Sequence, residues 1–332
     1  MSLLLIRKPS RSISRRHPRR CGPNPFAALF LFILLLVTAP AVRAESLPAE
    51  AVGAVLSQPE TKLDFLEAAV TFDRLVDKNS DVSATRALVA RLVDAVRQMA
   101  GPKPSDAYKL AAVRQAIYVS GVWNHNRPFT YDLNDPFGQQ VRSKMLSTYV
   151  RTRKGNCVSM PTLFLIVADR IGLNVHLAAA PLHLFVRYTD PAGVDHNLEA
   201  TSGGREARTE WYRTNLPMTD RAIESGIYMR TLRKRETIAQ MAASVLDFLM
   251  AERRFQEAAD VADAILAASP RDAYAMVKKG SAVGELMKAE FVDKYPSPAL
   301  IPPALRSRYA LLVAANEQAF RDAEALGWES AK

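Results

Sequence analysis

The segment from Arg151 to Pro161 constrains the fold of this chain more than any other stretch, because it fixes where a long buried helix begins. It reads Arg-Thr-Arg-Lys-Gly-Asn-Cys-Val-Ser-Met-Pro and is followed by mostly apolar residues. Proline lacks an N–H and is tolerated only in the first turn of a helix, so Cys157 must lie at or just before the helix start. Unpaired N–H groups at that end favour a thiolate. We therefore predict a reactive sulfur at the start of a helix that runs to Ile171 and is closed by Gly172.

The first 44 residues have the three parts of a secretory signal peptide. Residues 1–25 hold seven Lys or Arg and no acidic residue, residues 26–37 are twelve apolar residues, and small residues with an Ala-x-Ala arrangement occupy 38–44. We predict cleavage after Ala44 and a periplasmic or secreted protein with no stable membrane span. The apolar run is shorter than the roughly 20 residues that a membrane-spanning helix needs. Retention of the leader as an uncleaved anchor is the alternative.

Removing residues 1–44 takes away eight of the 44 basic residues and none of the 34 acidic ones, which leaves a net charge of +2. The high pI therefore belongs to the leader, and the mature protein has no basic excess to support a nucleic-acid partner. Cys21 leaves with the leader, so Cys157 is the lone cysteine of the mature sequence. A lone thiol in a compartment where thiols are usually paired is a buried apolar group, an intermolecular link or a reactive group.

A predicted β-hairpin supplies a base for this thiol. Strands are predicted at 174–180, 182–189 and 194–200, with a turn at 190–193 before the last of them. His183 lies at the start of the second strand and is the candidate base. With the turn centred near Pro191, facing residue numbers sum to about 382 to 383, so Glu199 would lie opposite His183 or one residue away. Glu199 is the better candidate for holding the imidazole, and Asn197 is the alternative.

Three short motifs together resemble the transglutaminase-like superfamily, and most closely its SirB1-type branch. They are Arg-Lys-Gly-Asn-Cys-Val-Ser at 153–159, Pro-Leu-His-Leu-Phe-Val-Arg at 181–187 and Leu-Glu-Ala-Thr-Ser-Gly-Gly at 198–204. The resemblance covers roughly residues 110–205. It implies an α+β fold with a papain-like core of N-terminal helices and an antiparallel sheet. It also implies a triad of Cys157 as nucleophile, His183 as base and Glu199 as third residue, where most such proteins have Asp.

The resemblance implies chemistry through a covalent acyl-enzyme. His183 would take the thiol proton, Cys157 would attack a carbonyl to form a thioester, and water or an amine would complete the reaction. The oxyanion formed on attack needs preorganised donors. The backbone N–H of Cys157 is one candidate, and Trp123 with Asn124 is the candidate second donor or substrate rim. No cofactor is implied, and the sequence has no zinc-ligand spacing and no phosphate-binding loop.

Apolar periodicity and composition divide the mature sequence into three regions. We predict an N-terminal helical segment at 45–105, the transglutaminase-like core at 106–232 and an all-α region at 233–332. The core is expected to contain one helix over 106–123 and a short helix over 139–149. In the last region, residues 255–270 resemble the second helix of a tetratricopeptide unit. Because fewer than three clear units are present, we expect this region to pack on the core, either as a buttress or as a surface for a protein partner.

The sequence therefore predicts an exported thiol hydrolase that acts on peptide or amide bonds in a peptide or protein substrate. A crosslinking acyl transferase is an alternative, since it shares the acyl-enzyme and differs only in whether an amine or water reaches it. A non-catalytic envelope interaction protein is the alternative from another class. The retained Cys157 and His183 argue against it, because a scaffold has no need of the pair.

Overall fold

A computed structural model describes residues 47–136 and 138–330, and the predicted leader lies outside these residues. The helices are α1 (Pro48–Leu56), α2 (Phe65–Val76), α3 (Val82–Ala100), α4 (Asp106–Tyr118), α5 (Leu146–Thr152), α6 (Ser159–Arg170), α7 (Thr209–Asn215), α8 (Asp220–Glu224), α9 (Lys234–Ala251), α10 (Phe255–Ala268), α11 (Ala273–Met287) and α12 (Pro303–Ala325). The strands are β1 (Thr130–Tyr131), β2 (Lys154–Gly155), β3 (Val175–Ala180), β4 (His183–Thr189), β5 (Asp195–Glu199) and β6 (Arg205–Ala207). None of the helices in the described part of the chain is long and apolar enough to span a membrane.

The sheet has two faces that pack against different parts of the molecule. Strands β3 to β6 form one antiparallel sheet in sequence order, and β1 with β2 forms a separate parallel pair. Along β4, Leu184 and Val186 belong to the main hydrophobic core together with α6, whereas Phe185 packs with Tyr212 and Met229 in a second cluster. Side chains alternate between faces along a strand, so His183 shares its face with Phe185 and lies away from the main core.

Helix α6 is the central element of the main core, as its apolar sequence predicted. Its residues from Ser159 to Ala168 are all buried. The helix ends at Arg170, and Gly172 adopts a left-handed conformation with φ of 74°. Only glycine enters that region without steric cost, so the predicted end of the helix is confirmed. At the same end, the Arg97 guanidinium donates a hydrogen bond to the Arg170 carbonyl at 3.1 Å.

The N-terminal and C-terminal helices pack on each other and on the core. Helix α1 contacts α10, α2 contacts α9, and α9 also contacts β3. One continuous cluster of buried apolar residues runs from Val52 in α1 to Leu312 in α12. The C-terminal helices therefore share the main core, as expected for a region with too few repeats to bury its own apolar faces.

Two local predictions were wrong, in each case because a side chain outside the predicted helix intervenes. Helix α4 ends at Tyr118 instead of continuing to residue 123, since the Asn124 amide donates to the carbonyls of Ala116 at 3.1 Å and Val119 at 2.7 Å. The predicted helix over 139–149 is a 3₁₀ turn followed by α5. Asp73 of α2 accepts a hydrogen bond from the Ser147 N–H at 2.7 Å, which fixes the start of α5.

The connector from Gly203 to Ser225 contains regular structure although its sequence is polar. It forms β6, which pairs with β5, and then α7 and α8. Tyr212 of α7 is buried on the sheet face that carries Phe185. This connector therefore adds the last strand of the sheet and covers its outer face.

Candidate active site

Cys157 lies immediately before α6, where Asn156 caps the helix. The Asn156 side-chain oxygen accepts hydrogen bonds from the N–H groups of Val158 at 3.0 Å and Ser159 at 3.2 Å, and the Ser159 hydroxyl accepts from the Asn156 N–H at 3.2 Å. This reciprocal arrangement satisfies N–H groups that the helix leaves unpaired. Pro161 falls in the first turn, so the predicted register of the cysteine is confirmed. The half-buried thiol is thereby held at the positive end of the helix dipole.

A tight turn places His183 next to this thiol. Ala180 pairs with His183, so Pro181 and Leu182 alone connect β3 to β4. Leu182 has a left-handed backbone with φ of 54° and a side chain that is 84% exposed. A non-glycine residue in that region costs about 1–3 kcal/mol and is often found at functional sites. The Leu182 carbonyl accepts from the Cys157 thiol at a sulfur–oxygen distance of 3.6 Å.

The His183 ring bridges the thiol and a carboxylate. Its Nε2 donates to Glu199 Oε2 at 2.7 Å, and the ring lies close enough to Cys157 that the thiol helps to raise the His183 pKa. Since Nε2 faces Glu199, Nδ1 is the ring nitrogen left for the thiol. The structure thus brings Cys157, His183 and Glu199 together from a helix start, a strand start and the end of the next strand.

The strand register that places Glu199 differs from the predicted one. Val186 pairs with Leu198 and Arg187 with Asn197, so facing residues sum to 384 and not to 382 or 383. The turn is longer than predicted because Asp190 closes it with hydrogen bonds from the N–H groups of Ala192 and Val194. Glu199 consequently lies diagonal to His183 on the same face, within reach of a long side chain.

The charges of the His183 imidazolium and the Glu199 carboxylate stabilise one another. Burial opposes the charged imidazolium, but hydrogen bonds to Cys157 and Glu199 outweigh it and raise the pKa of His183 to about 9. Burial also opposes the Glu199 carboxylate, yet its hydrogen bond to His183 and the imidazolium charge lower the pKa of Glu199 below its usual value. Near neutral pH the ring and the carboxylate are therefore both charged, which is the state that stabilises a neighbouring thiolate.

Comparison with known families agrees with this geometry. A family model described as Transglutaminase-like superfamily matches residues 83–243. Residues 83–243 form a transglutaminase-like domain. The search of curated proteins gave no match. The matched range begins in α3, ends within α9 and contains Cys157, His183 and Glu199.

Other predicted site residues of the transglutaminase-like domain make no hydrogen bond to Cys157 or His183 among the described residues. Asn197 donates to the Ala207 carbonyl at 3.2 Å and to Thr209 Oγ1 at 3.1 Å, and no hydrogen bond joins it to His183 in the described structure. Both amide hydrogens of Asn124 are used on α4 and the residues after it. The Trp123 indole N–H is buried without an acceptor among the described residues. Neither of these loop residues forms a hydrogen bond or ring contact with Cys157 within that part of the chain.

Three residues that sequence reasoning did not assign to the site contact the triad or lie beside it. Thr201 and Tyr212 donate hydrogen bonds to Glu199. Tyr131 of β1 lies close enough to Cys157 and Glu199 that burial and the charges of both raise its pKa. The only sequence signal for them was the Trp-Tyr pair in a polar segment and the aromatic residues in an Asn-rich loop. Neither feature of the sequence indicates which residues these side chains contact.

Proposed function

We propose that this protein is an exported thiol hydrolase that acts on peptide or amide bonds through Cys157, His183 and Glu199. The observation that carries the proposal is the His183 imidazole beside the Cys157 thiol, with Nε2 held 2.7 Å from Glu199 Oε2. Nucleophile, base and orienting group in that order are what activation of a thiol requires. The transglutaminase-like domain supports the same class of chemistry.

The reaction follows from the positions of these groups. With the thiol proton already held on His183 Nδ1 in an imidazolium–thiolate pair, the sulfur attacks the substrate carbonyl carbon to form a tetrahedral oxyanion. As the oxyanion collapses, the carbon–nitrogen bond breaks, His183 returns the proton to the leaving amine, and a thioester remains on Cys157. His183 then takes a proton from water, which attacks the thioester, releases the acid and restores the thiol. Glu199 holds the ring and stabilises its positive charge throughout.

The oxyanion requires donors that are already in position. The Cys157 N–H is a suitable donor, since it makes no backbone hydrogen bond among the described residues. Trp123 is the proposed second donor or substrate rim, because its indole N–H also lacks an acceptor there. Asn124 is the weaker part of that pair, since its amide hydrogens are already donated to the backbone.

The N-terminal sequence supports export, and the C-terminal helices support the finer family assignment. The basic, apolar and small-residue parts of the leader favour a periplasmic or secreted protein with cleavage after Ala44. We also propose that the chain is of the SirB1 type with a tetratricopeptide-like C-terminal region. In support, α9 with α10 and α11 with α12 are consecutive contacting helices.

A labelling experiment tests the proposed activity directly. The mature protein is treated with iodoacetamide from pH 5 to 10, with Cys157→Ala as the control for labelling elsewhere. Alkylation that remains fast well below the ordinary thiol pKa of about 8.5 is the expected result. Slow reaction that follows an ordinary thiol titration would remove the proposed chemistry and leave a non-catalytic envelope interaction protein.

Substrate trapping separates hydrolysis from acyl transfer. The protein is incubated with envelope extract, and adducts on Cys157 are captured with and without an added primary amine. Hydrolysis predicts release of a free acid whether or not the amine is present. Crosslinking by the alternative acyl transferase predicts an amide product that contains the amine and is absent with Cys157→Ala.

A further inference from the structure

The Glu199 carboxylate is held by more donors than the imidazole alone. We infer that Tyr212 is a positioning residue that keeps Glu199 charged and aimed at His183. A role for Tyr212 in the reaction rests on the proposed function, but the hydrogen bond between Tyr212 and Glu199 does not depend on it. Tyr212 lies in α7, which the sequence did not associate with the site.

The two carboxylate oxygens of Glu199 are fully engaged. Oε2 accepts from the Tyr212 hydroxyl at 3.0 Å as well as from His183 Nε2 at 2.7 Å. Oε1 accepts from the Thr201 N–H at 3.0 Å and from the Thr201 hydroxyl at 2.5 Å. Each carboxylate oxygen has about two acceptor positions, so these four donors saturate the group.

The Tyr212 ring is fixed as firmly as its hydroxyl. It is 0% exposed, stacks on Phe185 with ring centroids 4.3 Å apart, and lies 5.9 Å from the His183 ring. Phe185 and His183 are two residues apart on β4, so their side chains lie on the same face of the sheet. Burial and the Glu199 charge raise the pKa of Tyr212, so the hydroxyl remains a donor wherever the carboxylate is charged. One side chain therefore contacts both the acid and the base of the proposed triad.

This arrangement also explains how glutamate can serve as the third residue. Glutamate has one more rotatable bond than aspartate, so its carboxylate loses more freedom when it is held in one orientation. Tyr212 and Thr201 restrain that extra bond from opposite oxygens. Removing the Tyr212 hydroxyl would leave an acceptor position on Oε2 unsatisfied in a buried site, which disfavours the charged form of Glu199.

The test is Tyr212→Phe, with Tyr188→Phe as the matched control. Tyr188 is on β4 and donates to Asp106 Oδ2 at 2.8 Å, so the control removes an equivalent hydrogen bond on the opposite face of the sheet. The ¹³C carboxyl shift of Glu199 is followed against pH in protein labelled on glutamate. We expect the Glu199 pKa to rise by about one unit in Tyr212→Phe, a tenfold change in proton affinity, and to be unchanged in Tyr188→Phe.

A second readout is the pH at which alkylation of Cys157 loses half its rate on acidification. It should move up with Tyr212→Phe and stay in place with Tyr188→Phe. If the wild-type thiol is not activated, the proposed function fails, while the carboxyl titration still decides the role of Tyr212. A folded Tyr212→Phe protein whose Glu199 titrates as in the wild type overturns the inference.

The inference remains testable if Tyr212→Phe does not fold. Replacing Tyr212 with 3-fluorotyrosine keeps the ring and makes the hydroxyl a stronger acid and therefore a stronger donor. The Glu199 pKa should then fall below its wild-type value. An unchanged value with fluorotyrosine overturns the inference as well.

Discussion

Glu199 in the candidate active site and Asp247 in the C-terminal helices are both buried carboxylates, but their partners respond differently to pH. Glu199 pairs with a histidine, whereas Asp247 accepts from Lys144 at 2.6 Å and Lys278 at 2.9 Å. Burial opposes the charge of Asp247, and the two ammonium groups outweigh it and lower the Asp247 pKa. The first pair can lose a proton as pH rises through about 9, because the imidazolium is the group that titrates there. The second keeps its charges, which suits a permanent contact between α9, α11 and the segment before the cysteine helix.

The largest expected effect on stability comes from Asp247→Ala. Removing the carboxylate leaves Lys144 with a side chain that is 17% exposed and no ion pair, and breaking a buried pair in this way costs about 3–5 kcal/mol. Urea unfolding should show a loss of that size, while the folded fraction alkylates Cys157 with the wild-type pH profile. A loss below about 1 kcal/mol would mean that Asp247 is not the structural counterpart of Glu199.

The pH dependence of stability should distinguish the two carboxylates. The pKa of His183 rises from an ordinary value near 6.5 to about 9, so its contribution is fully present below about 6.5 and is lost as pH rises through about 9. The difference in unfolding free energy between wild type and His183→Gln should shrink by about 3 kcal/mol over that range. The Asp247→Ala penalty should stay level, because lysine ordinarily keeps its charge to about pH 10. Parallel curves for the two variants would contradict the comparison.

Thiol reactivity should depend on His183 and not on other histidines of the sheet. In His183→Gln the alkylation rate at pH 7 should fall about tenfold or more, since an ordinary thiol is only a few per cent ionised there. The control is His196→Gln on β5, where the ring lies between Asp190 and Glu206 at 3.2 and 3.0 Å. Equal rates for the two variants would show that His183 is not the residue that activates Cys157.

The smallest expected effect comes from an exposed ion pair in the C-terminal helices. Lys279 lies 2.6 Å from Asp263, whose side chain is 58% exposed. Exposed pairs contribute about 0–1 kcal/mol because water and salt screen them. Asp263→Ala should therefore lower the unfolding free energy by less than about 1 kcal/mol. A larger loss would show that burial is not what separates Asp247 from surface carboxylates.

Local patterns predicted the elements whose formation depends on their own residues. Helices α2, α3 and α6 follow apolar periodicity, and Pro161 with Gly172 marks the two ends of α6. Glu199 was placed on the correct face of the hairpin even though the register was wrong. The observed register places Glu199 diagonal to His183 instead of opposite it, and the Glu199 side chain is long enough to reach the ring.

The sequence by itself determined that a lone thiol would begin a buried helix and that a histidine and a carboxylate would follow on paired strands. Those features depend on residues close together in the chain, where spacing and backbone chemistry suffice. Only the tertiary structure decided that Asp73 starts α5 and that Tyr212 holds Glu199. Such contacts join segments whose relative position depends on how the whole core packs, and no local pattern encodes it.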